Sequence, residues 1–137
     1  MTLDEKKELV LRMHDEIWNQ GKLDNVEDLY CKNFVAHYPG NEWIGIEGIK
    51  NTVKFIKNAF PNWHEEVKDI IISDDKVVTR FISRGTHNGY FIEIAPSGRE
   101  VEIEEIAIFR IEDGKIAEQW GIFDGYKMME QIGAIKR

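Results

Sequence analysis

The spacing of apolar residues predicts helices in the first half of the chain. Apolar positions three, four or seven residues apart predict a first helix over 3–20 and a longer amphipathic helix over 46–60 that ends at Pro61. A short helix over 24–30 and a strand over 34–38 are predicted between them. Helical sequence therefore dominates the part of the chain before Pro61.

After Trp63 the apolar spacing changes to the alternation that is typical of strands. Strands are predicted over 64–73, 76–88, 99–111 and 115–124, and a short helix follows the last of them. This order of elements predicts a single domain over 1–137 of the α+β class. We expect a curved antiparallel sheet wrapped over three to four helices, which together form a cone with an internal pocket.

Composition and charge exclude several classes of function. The chain has 137 residues, of which 42% are hydrophobic, and a formal net charge of −7. An acidic chain without a basic run is a poor nucleic-acid binder, and charges interrupt every apolar run before the ~20 residues that a membrane helix needs. The single Cys31 cannot form an intrachain disulfide, which favours a reducing compartment, and the N-terminal segment is charged where a signal peptide would be apolar, so we expect a cytoplasmic protein.

The sequence contains none of the standard motifs for binding nucleotides or phosphates, for a nucleophilic serine or for catalytic zinc. The four histidines lie on separate predicted elements and show no ligand spacing: His14, His37, His64 and His87. We therefore expect no metal site.

The last predicted strand carries the main candidate for catalysis. Side chains alternate along a strand, so Trp120, Ile122 and Asp124 share one face. A carboxylate on an apolar face loses hydration, which favours its protonated form and makes it a proton carrier near neutral pH. The alternative is that Asp124 only caps the helix that begins at Gly125. The sequence leaves both interpretations open.

The preceding strand carries a second candidate carboxylate. Glu100, Glu102 and Glu104 alternate with apolar residues and are predicted to face solvent. Glu105 breaks this pattern because it shares the parity of Ile103 and other apolar residues. Either a β-bulge resets the register or Glu105 points into the pocket, and the sequence does not decide between them.

Three further polar residues are candidates for the pocket. His37 ends the first predicted strand, where it serves as a donor or acid of the pocket or as a hydrogen-bonded turn residue. His87 lies in a glycine-flanked turn and faces either the pocket mouth or water. Arg80 is isolated on an apolar strand face and needs either a carboxylate partner or a ligand enolate or carboxylate.

Aromatic residues are numerous enough to line a flat pocket, although in most proteins such residues belong to the core. The aromatic candidates for binding a ligand are Trp18, Tyr38, Trp63 and Trp120.

Several short segments, in order and spanning nearly the whole chain, resemble the SnoaL-like polyketide cyclase family, a branch of the nuclear transport factor two-like superfamily. They include Trp-Asn-Gln-Gly at 18–21, Phe-Pro-Asn-Trp at 60–63, Gly-Thr-His-Asn-Gly at 85–89, and Glu-Gln-Trp at 118–120 followed by Asp124. The sequence departs from the family pattern at Glu93, where glycine is frequent, and at Ser97, where threonine is usual.

The resemblance implies a dimeric α+β cone whose cofactor-free members close polyketide rings by intramolecular aldol condensation. In those cyclases the aspartate that matches Asp124 is the general acid and base. His37 and His87 fall at recurrent family positions, and Trp63 and Trp120 would line the pocket.

The expected function is cofactor-free acid–base catalysis on a small hydrophobic carbonyl compound by a homodimer. A first alternative is a non-catalytic module for ligand binding or protein association, with an exposed Asp124 and a cavity closed by packed aromatic residues. A second is a ketosteroid-isomerase-like enzyme, which needs another carboxylate or a tyrosine facing Asp124. Tyr30, Tyr38 and Glu105 are the candidates for that partner.

Overall fold

In a computed structural model, which describes residues 1–136, six strands form one curved sheet and four α-helices accompany it. The elements are α1 (Leu3–Arg12), α2 (Val26–Leu29), β1 (Tyr30–Tyr38), β2 (Asn41–Ile44), α3 (Gly45–Ala59), β3 (His64–Ile72), β4 (Lys76–Thr86), β5 (Glu100–Glu112), β6 (Lys115–Phe123) and α4 (Gly125–Gln131). The predicted α+β class with a curved sheet is confirmed.

The first helix begins at a capping box and changes its geometry halfway. The Thr2 hydroxyl accepts a hydrogen bond from the Glu5 N–H, and the Glu5 carboxylate accepts one from the Thr2 N–H. α1 passes without a break into a π-helical segment, Met13–Asn19, and the chain then turns at Gly21, whose φ is +68°. The π-helical segment buries four side chains: Met13, His14, Ile17 and Trp18.

The strand order across the sheet is β2-β1-β6-β5-β4-β3. Neighbouring strands are antiparallel except for β1 and β6, which run parallel. The sequence predicted an antiparallel sheet and did not predict β2. Asp113 and Gly114 have φ values of 51° and 77°, as the tight hairpin turn between β5 and β6 requires.

The two faces of the sheet differ in exposure. The inner face packs against the helices and forms one continuous hydrophobic core with them. The outer face carries ion pairs and a strip of partly exposed apolar side chains, which comprises Ile106, Ile108, Trp120 and Ile122. Among the described residues, no helix combines the length and the apolar character needed to cross a membrane.

Candidate functional site

A cavity of about 340 Å³ lies between the π-helical segment, α3 and the inner face of the sheet. Its volume falls within the range of small-molecule sites. Most of its lining is aromatic or aliphatic, and the aromatic residues include Trp18, Tyr38, Trp43, Trp63, Phe81 and Phe109. Of the predicted ligand-binding residues, Trp18, Tyr38 and Trp63 therefore line this cavity.

One wall of the cavity holds a buried hydrogen-bond network around Glu65. Nδ1 of His14 lies 2.8 Å from Glu65 Oε1, and Nε2 of His14 lies 3.0 Å from the Thr79 hydroxyl oxygen. The indole N–H of Trp63 donates to Glu65 Oε2 over 3.0 Å. Both ring nitrogens and both carboxyl oxygens thus have partners, as buried polar groups require. The network fixes this wall and the orientation of Trp63.

Glu105 is the second buried carboxyl of the cavity. The register between β4 and β5 is continuous from Thr86 to Lys76, so no bulge interrupts it, and regular alternation carries Glu105 inward. The Ser83 hydroxyl donates to Oε2 of Glu105. The other oxygen, Oε1, accepts no hydrogen bond within residues 1–136 and is available to a ligand.

The environment of Glu105 favours its protonated form. Burial raises the pKa of Glu105 to about 8, the negative charge of Glu65 adds to this effect, and the hydrogen bond from Ser83 acts against it. A carboxyl with such a pKa takes up and releases protons close to neutral pH, which is what general acid–base catalysis needs.

Tyr38 supplies a hydroxyl to the same cavity. The side-chain amide of Gln119 donates to the Tyr38 hydroxyl oxygen over 2.9 Å, so the Tyr38 O–H can donate to a ligand. Burial holds the pKa of Tyr38 well above its usual value, and the negative charge of Glu105 acts in the same direction. Its ring stacks on Trp43 at a centroid distance of 4.8 Å. Tyr38 is therefore a fixed, neutral hydrogen-bond donor.

Asp124 lies outside the cavity. Its side chain is exposed and accepts a hydrogen bond from the Lys127 N–H over 3.0 Å, so it caps α4. Asp124 follows Trp120 and Ile122 on one face as predicted, but that face is the outer surface of the sheet. The prediction that apolar neighbours would desolvate Asp124 is therefore wrong, because those neighbours are themselves accessible to water.

The two predicted catalytic histidines also lie away from the cavity. His37 bridges two carboxylates on the outer face, with its ring nitrogens 2.8 Å from Glu42 and 2.7 Å from Glu118. His87 is fully buried, and its Nδ1 lies 2.8 Å from the Ser97 hydroxyl. Within residues 1–136, no group of three or more His, Cys, Asp or Glu side chains is placed to hold a metal ion.

Two of the predicted ligand-binding residues lie on the outer face. Arg80 makes ion pairs with Asp69 at 2.7 Å and with Glu104 at 2.9 Å. Of the two predicted partners for Arg80, a carboxylate of the chain or a ligand, the structure contains the carboxylate. Trp120 stacks on His37 with a ring-centroid distance of 5.6 Å. Neither residue lines the cavity.

Sequence reasoning did not single out Glu65, His14 or Gln119, although strand parity contains part of the signal. Glu65 lies on β3, and Trp63 directly precedes that strand. The two residues are two positions apart, and both point inward. Gln119 lies on the face of β6 opposite Trp120. Side chains alternate between the two faces of β6 over 118–122, but the sequence did not indicate that the face of Gln119, rather than that of Trp120, is the inner one.

Comparison with known proteins identifies relatives. Residues 8–132 match the family model of the SnoaL-like polyketide cyclase. IdmH, a proposed polyketide cyclase from Streptomyces antibioticus, is 30% identical, with coverage of 93% of this chain and 97% of that one and a TM-score of 0.81. A proposed SnoaL-like polyketide cyclase from Jannaschia sp. CCS1 is 25% identical, with coverage of 97% of this chain and 94% of that one and a TM-score of 0.89. No curated protein matches the sequence significantly.

Proposed function

The chain belongs to the SnoaL-like polyketide cyclase family, and on that premise we propose that it catalyses cofactor-free proton transfer on a small hydrophobic carbonyl compound, with Glu105 as general base and acid. The observation that carries the proposal is the buried Glu105 carboxyl, which lines an aromatic cavity and has one oxygen free of partners within residues 1–136. Intramolecular aldol cyclisation is the reaction class that the family name suggests.

The proposed reaction uses two groups of the cavity. The Glu105 carboxylate takes a proton from the carbon next to a substrate carbonyl, and the electron pair of that C–H bond moves to form an enolate. The Tyr38 O–H donates a hydrogen bond to the enolate oxygen. The enolate carbon then bonds to a second carbonyl carbon of the same molecule, and protonated Glu105 returns its proton to the new alkoxide. The net proton change is zero.

The charge of the cavity favours an uncharged substrate. Its ionisable lining residues are His14, Tyr38, Glu65 and Glu105, and no lysine or arginine of the described chain lines it. His14 is already hydrogen-bonded to Glu65. A ligand carboxylate or phosphate would lose its hydration without gaining a cationic partner. A ketone or an ester fits this environment, because its carbonyl oxygen only needs a hydrogen-bond donor.

A catalytic role for Asp124 stays a prediction that derives from the family resemblance. Asp124 is exposed and caps α4, whereas Glu105 is buried and lines the cavity. Substituting each carboxylate by its amide therefore distinguishes the two assignments.

The test measures exchange of the α-protons of 2-tetralone, a neutral aromatic ketone, for deuterium by NMR. We expect Glu105→Gln to lower the enzymatic exchange rate by about a hundredfold or more and to keep tetralone binding, measured by tryptophan fluorescence. We expect Asp124→Asn to exchange at the parent rate. An unchanged rate in Glu105→Gln would contradict the proposal, and a loss confined to Asp124→Asn would assign the chemistry to Asp124.

A non-catalytic binding module is the second candidate, because the exposed Asp124 is bonded to a backbone N–H, as that alternative predicts. The same alternative predicts a cavity closed by aromatic residues, whereas a volume of about 340 Å³ is present. It requires tetralone binding without exchange in the parent protein.

The ketosteroid-isomerase-like alternative needs a carboxylate or a tyrosine that faces Asp124. Tyr38 and Glu105 line one cavity, but Asp124 does not face them.

A further inference from the structure

The cavity opens to solvent through a mouth that is mainly apolar. The mouth is formed by those lining residues whose side chains are exposed, and they are Pro39, Asn41, Phe55, Ile92 and Phe123. Four of these five residues are apolar. They come from the end of β1, the start of β2, α3, the segment between β4 and β5, and the end of β6.

Ile92 has an unusual backbone conformation for its residue type. Phe91 and Ile94 exchange both backbone hydrogen bonds, at 3.0 and 2.9 Å, so Ile92 and Glu93 are the central residues of a tight turn. Ile92 has a φ of 57°, and of the two central residues it alone has a positive φ. Turns of this kind favour glycine at that position. A β-branched residue there is strained.

The surrounding contacts hold this turn against the cavity. The N–H of Gly89 donates to the carbonyl of Ala59 at the end of α3, over 3.0 Å. The buried ring of Phe91 packs against Phe55 and Phe60 at centroid distances of 5.6 and 5.7 Å. The backbone just before the turn is therefore bonded to the end of α3, and the first residue of the turn is packed in the core.

In the free protein, Ile92 buries too little apolar surface to offset the backbone strain. Its side chain is 65% exposed, so folding buries only a small part of its apolar surface. Both the backbone conformation and the exposure of Ile92 are thus unfavourable, while its side chain lines the cavity mouth. A residue that breaks two local rules without a structural gain indicates a functional constraint.

We propose that Ile92 is a specificity-determining residue, whose side chain packs on the bound ligand at the cavity mouth and limits how far the ligand can extend outward. In the complex the ligand would cover the apolar surface that Ile92 exposes in the free protein. The inference rests on ligand binding in the cavity, which is part of the proposed function, but not on proton transfer by Glu105.

The test compares two substitutions at Ile92 with a control in the same turn. Ile92→Gly removes the side chain and the strain, whereas Ile92→Ala removes the side chain beyond Cβ and keeps the positive φ. Glu93→Ala changes the other central residue, which is exposed and does not line the cavity. The neutral fluorescent probes are N-phenyl-1-naphthylamine and the larger Nile red.

We expect both Ile92 variants to bind N-phenyl-1-naphthylamine about tenfold more weakly than the parent. The ratio of the affinity for Nile red to the affinity for N-phenyl-1-naphthylamine should be higher in both variants than in the parent. Glu93→Ala should keep the parent's affinities. In urea unfolding, Ile92→Gly should be more stable than Ile92→Ala, because glycine adopts the positive φ without strain.

Parent-like affinities and probe preference in both Ile92 variants would overturn the inference, as would an Ile92→Gly variant less stable than Ile92→Ala. If the parent bound neither probe, the premise that the cavity binds a ligand would be contradicted, and with it both the proposed function and this inference. Probe binding by a Glu105→Gln variant that has lost exchange would show that the two claims are separable.

Discussion

The position of Tyr38 in the cavity depends on a glycine in the neighbouring strand. Gly121 lies beneath the Tyr38 ring, and a Cβ at that position would overlap the ring and its hydroxyl. The close approach allows the hydroxyl to meet the Gln119 amide and the ring to stack on Trp43. At the residue scale, the absence of one methyl group thus places a hydrogen-bond donor in the cavity.

We expect Gly121→Ala to lower the free energy of unfolding by about 1–3 kcal/mol, since an added methyl group in a packed site forces its neighbours to move. Displacement of Tyr38 should also weaken tetralone binding. Urea unfolding and tryptophan fluorescence measure the two effects.

The matched control introduces the same substitution into a Tyr38→Ala background, where the ring is absent. The destabilisation should largely disappear there. A penalty of equal size in both backgrounds would show that the overlap with Tyr38 is not its cause.

Strand parity shows how far the sequence alone could place the two candidate carboxylates. Glu105 shares its parity with buried apolar residues, and the uninterrupted register confirms the interpretation in which it points inward. Asp124 also follows apolar residues, but Trp120 and Ile122 belong to the outer face. Parity groups side chains by face without indicating which face is covered, and only the packing of the helices decides that.

At the scale of elements, the junction of β1, β2 and β6 is held on its outer face by His37. This residue of β1 contacts Glu42 of β2 and Glu118 of β6. The hydrogen bond with Glu118 contributes most to raising the pKa of His37, and the one with Glu42 contributes next. The protonated ring is therefore favoured in the folded state.

Since the pKa of His37 is raised on folding, its stabilising contribution is complete below the pKa of the unfolded chain and is lost as pH rises through the folded-state value. We expect His37→Gln to lower the free energy of unfolding at pH 6 by more than at pH 9. The effect should be modest, because the group is partly exposed and screened by water.

Urea unfolding at the two pH values measures this difference, with His64→Gln as the control because His64 is an exposed histidine of β3. A His37→Gln penalty that does not change between the two pH values would contradict the role of the charged ring.

The sequence predicted long elements well and short or distant pairings poorly. The helix predicted over 46–60 is α3, because its apolar stripe is long and Pro61 follows it. β2 has only four residues, and its hydrogen bonds to β1 define it rather than any alternation of its own. The parallel pairing of β1 with β6 joins segments far apart in the chain, and local patterns contain no information on their relative direction.

At the scale of the whole molecule, the apolar strip on the outer face bears on the homodimer that the family resemblance implies. Ile106 and Ile122 are 49% and 68% exposed, and Ile108 and Trp120 lie beside them. Contiguous exposed apolar surface is typical of interaction sites. The homodimer stays a prediction, and we expect this strip to be part of its interface.

Sedimentation equilibrium should give twice the chain mass of 16.0 kDa for the parent protein. Ile122→Glu should shift the equilibrium toward the monomer, because dimer formation would bury an unpaired charge. Leu3→Glu is the control, since Leu3 is similarly exposed but lies at the start of α1. A parent protein that sediments at 16.0 kDa at tens of micromolar would contradict the prediction.

The proposed chemistry depends on an exchangeable proton that Glu105 holds inside the cavity. Its most direct test is an NMR titration of the side-chain carboxyl carbon of Glu105 in the free protein, with the resonance assigned by its absence in Glu105→Gln. We expect a titration centred at a pKa of about 8. A titration centred below about 5, as for a carboxyl in water, would contradict it.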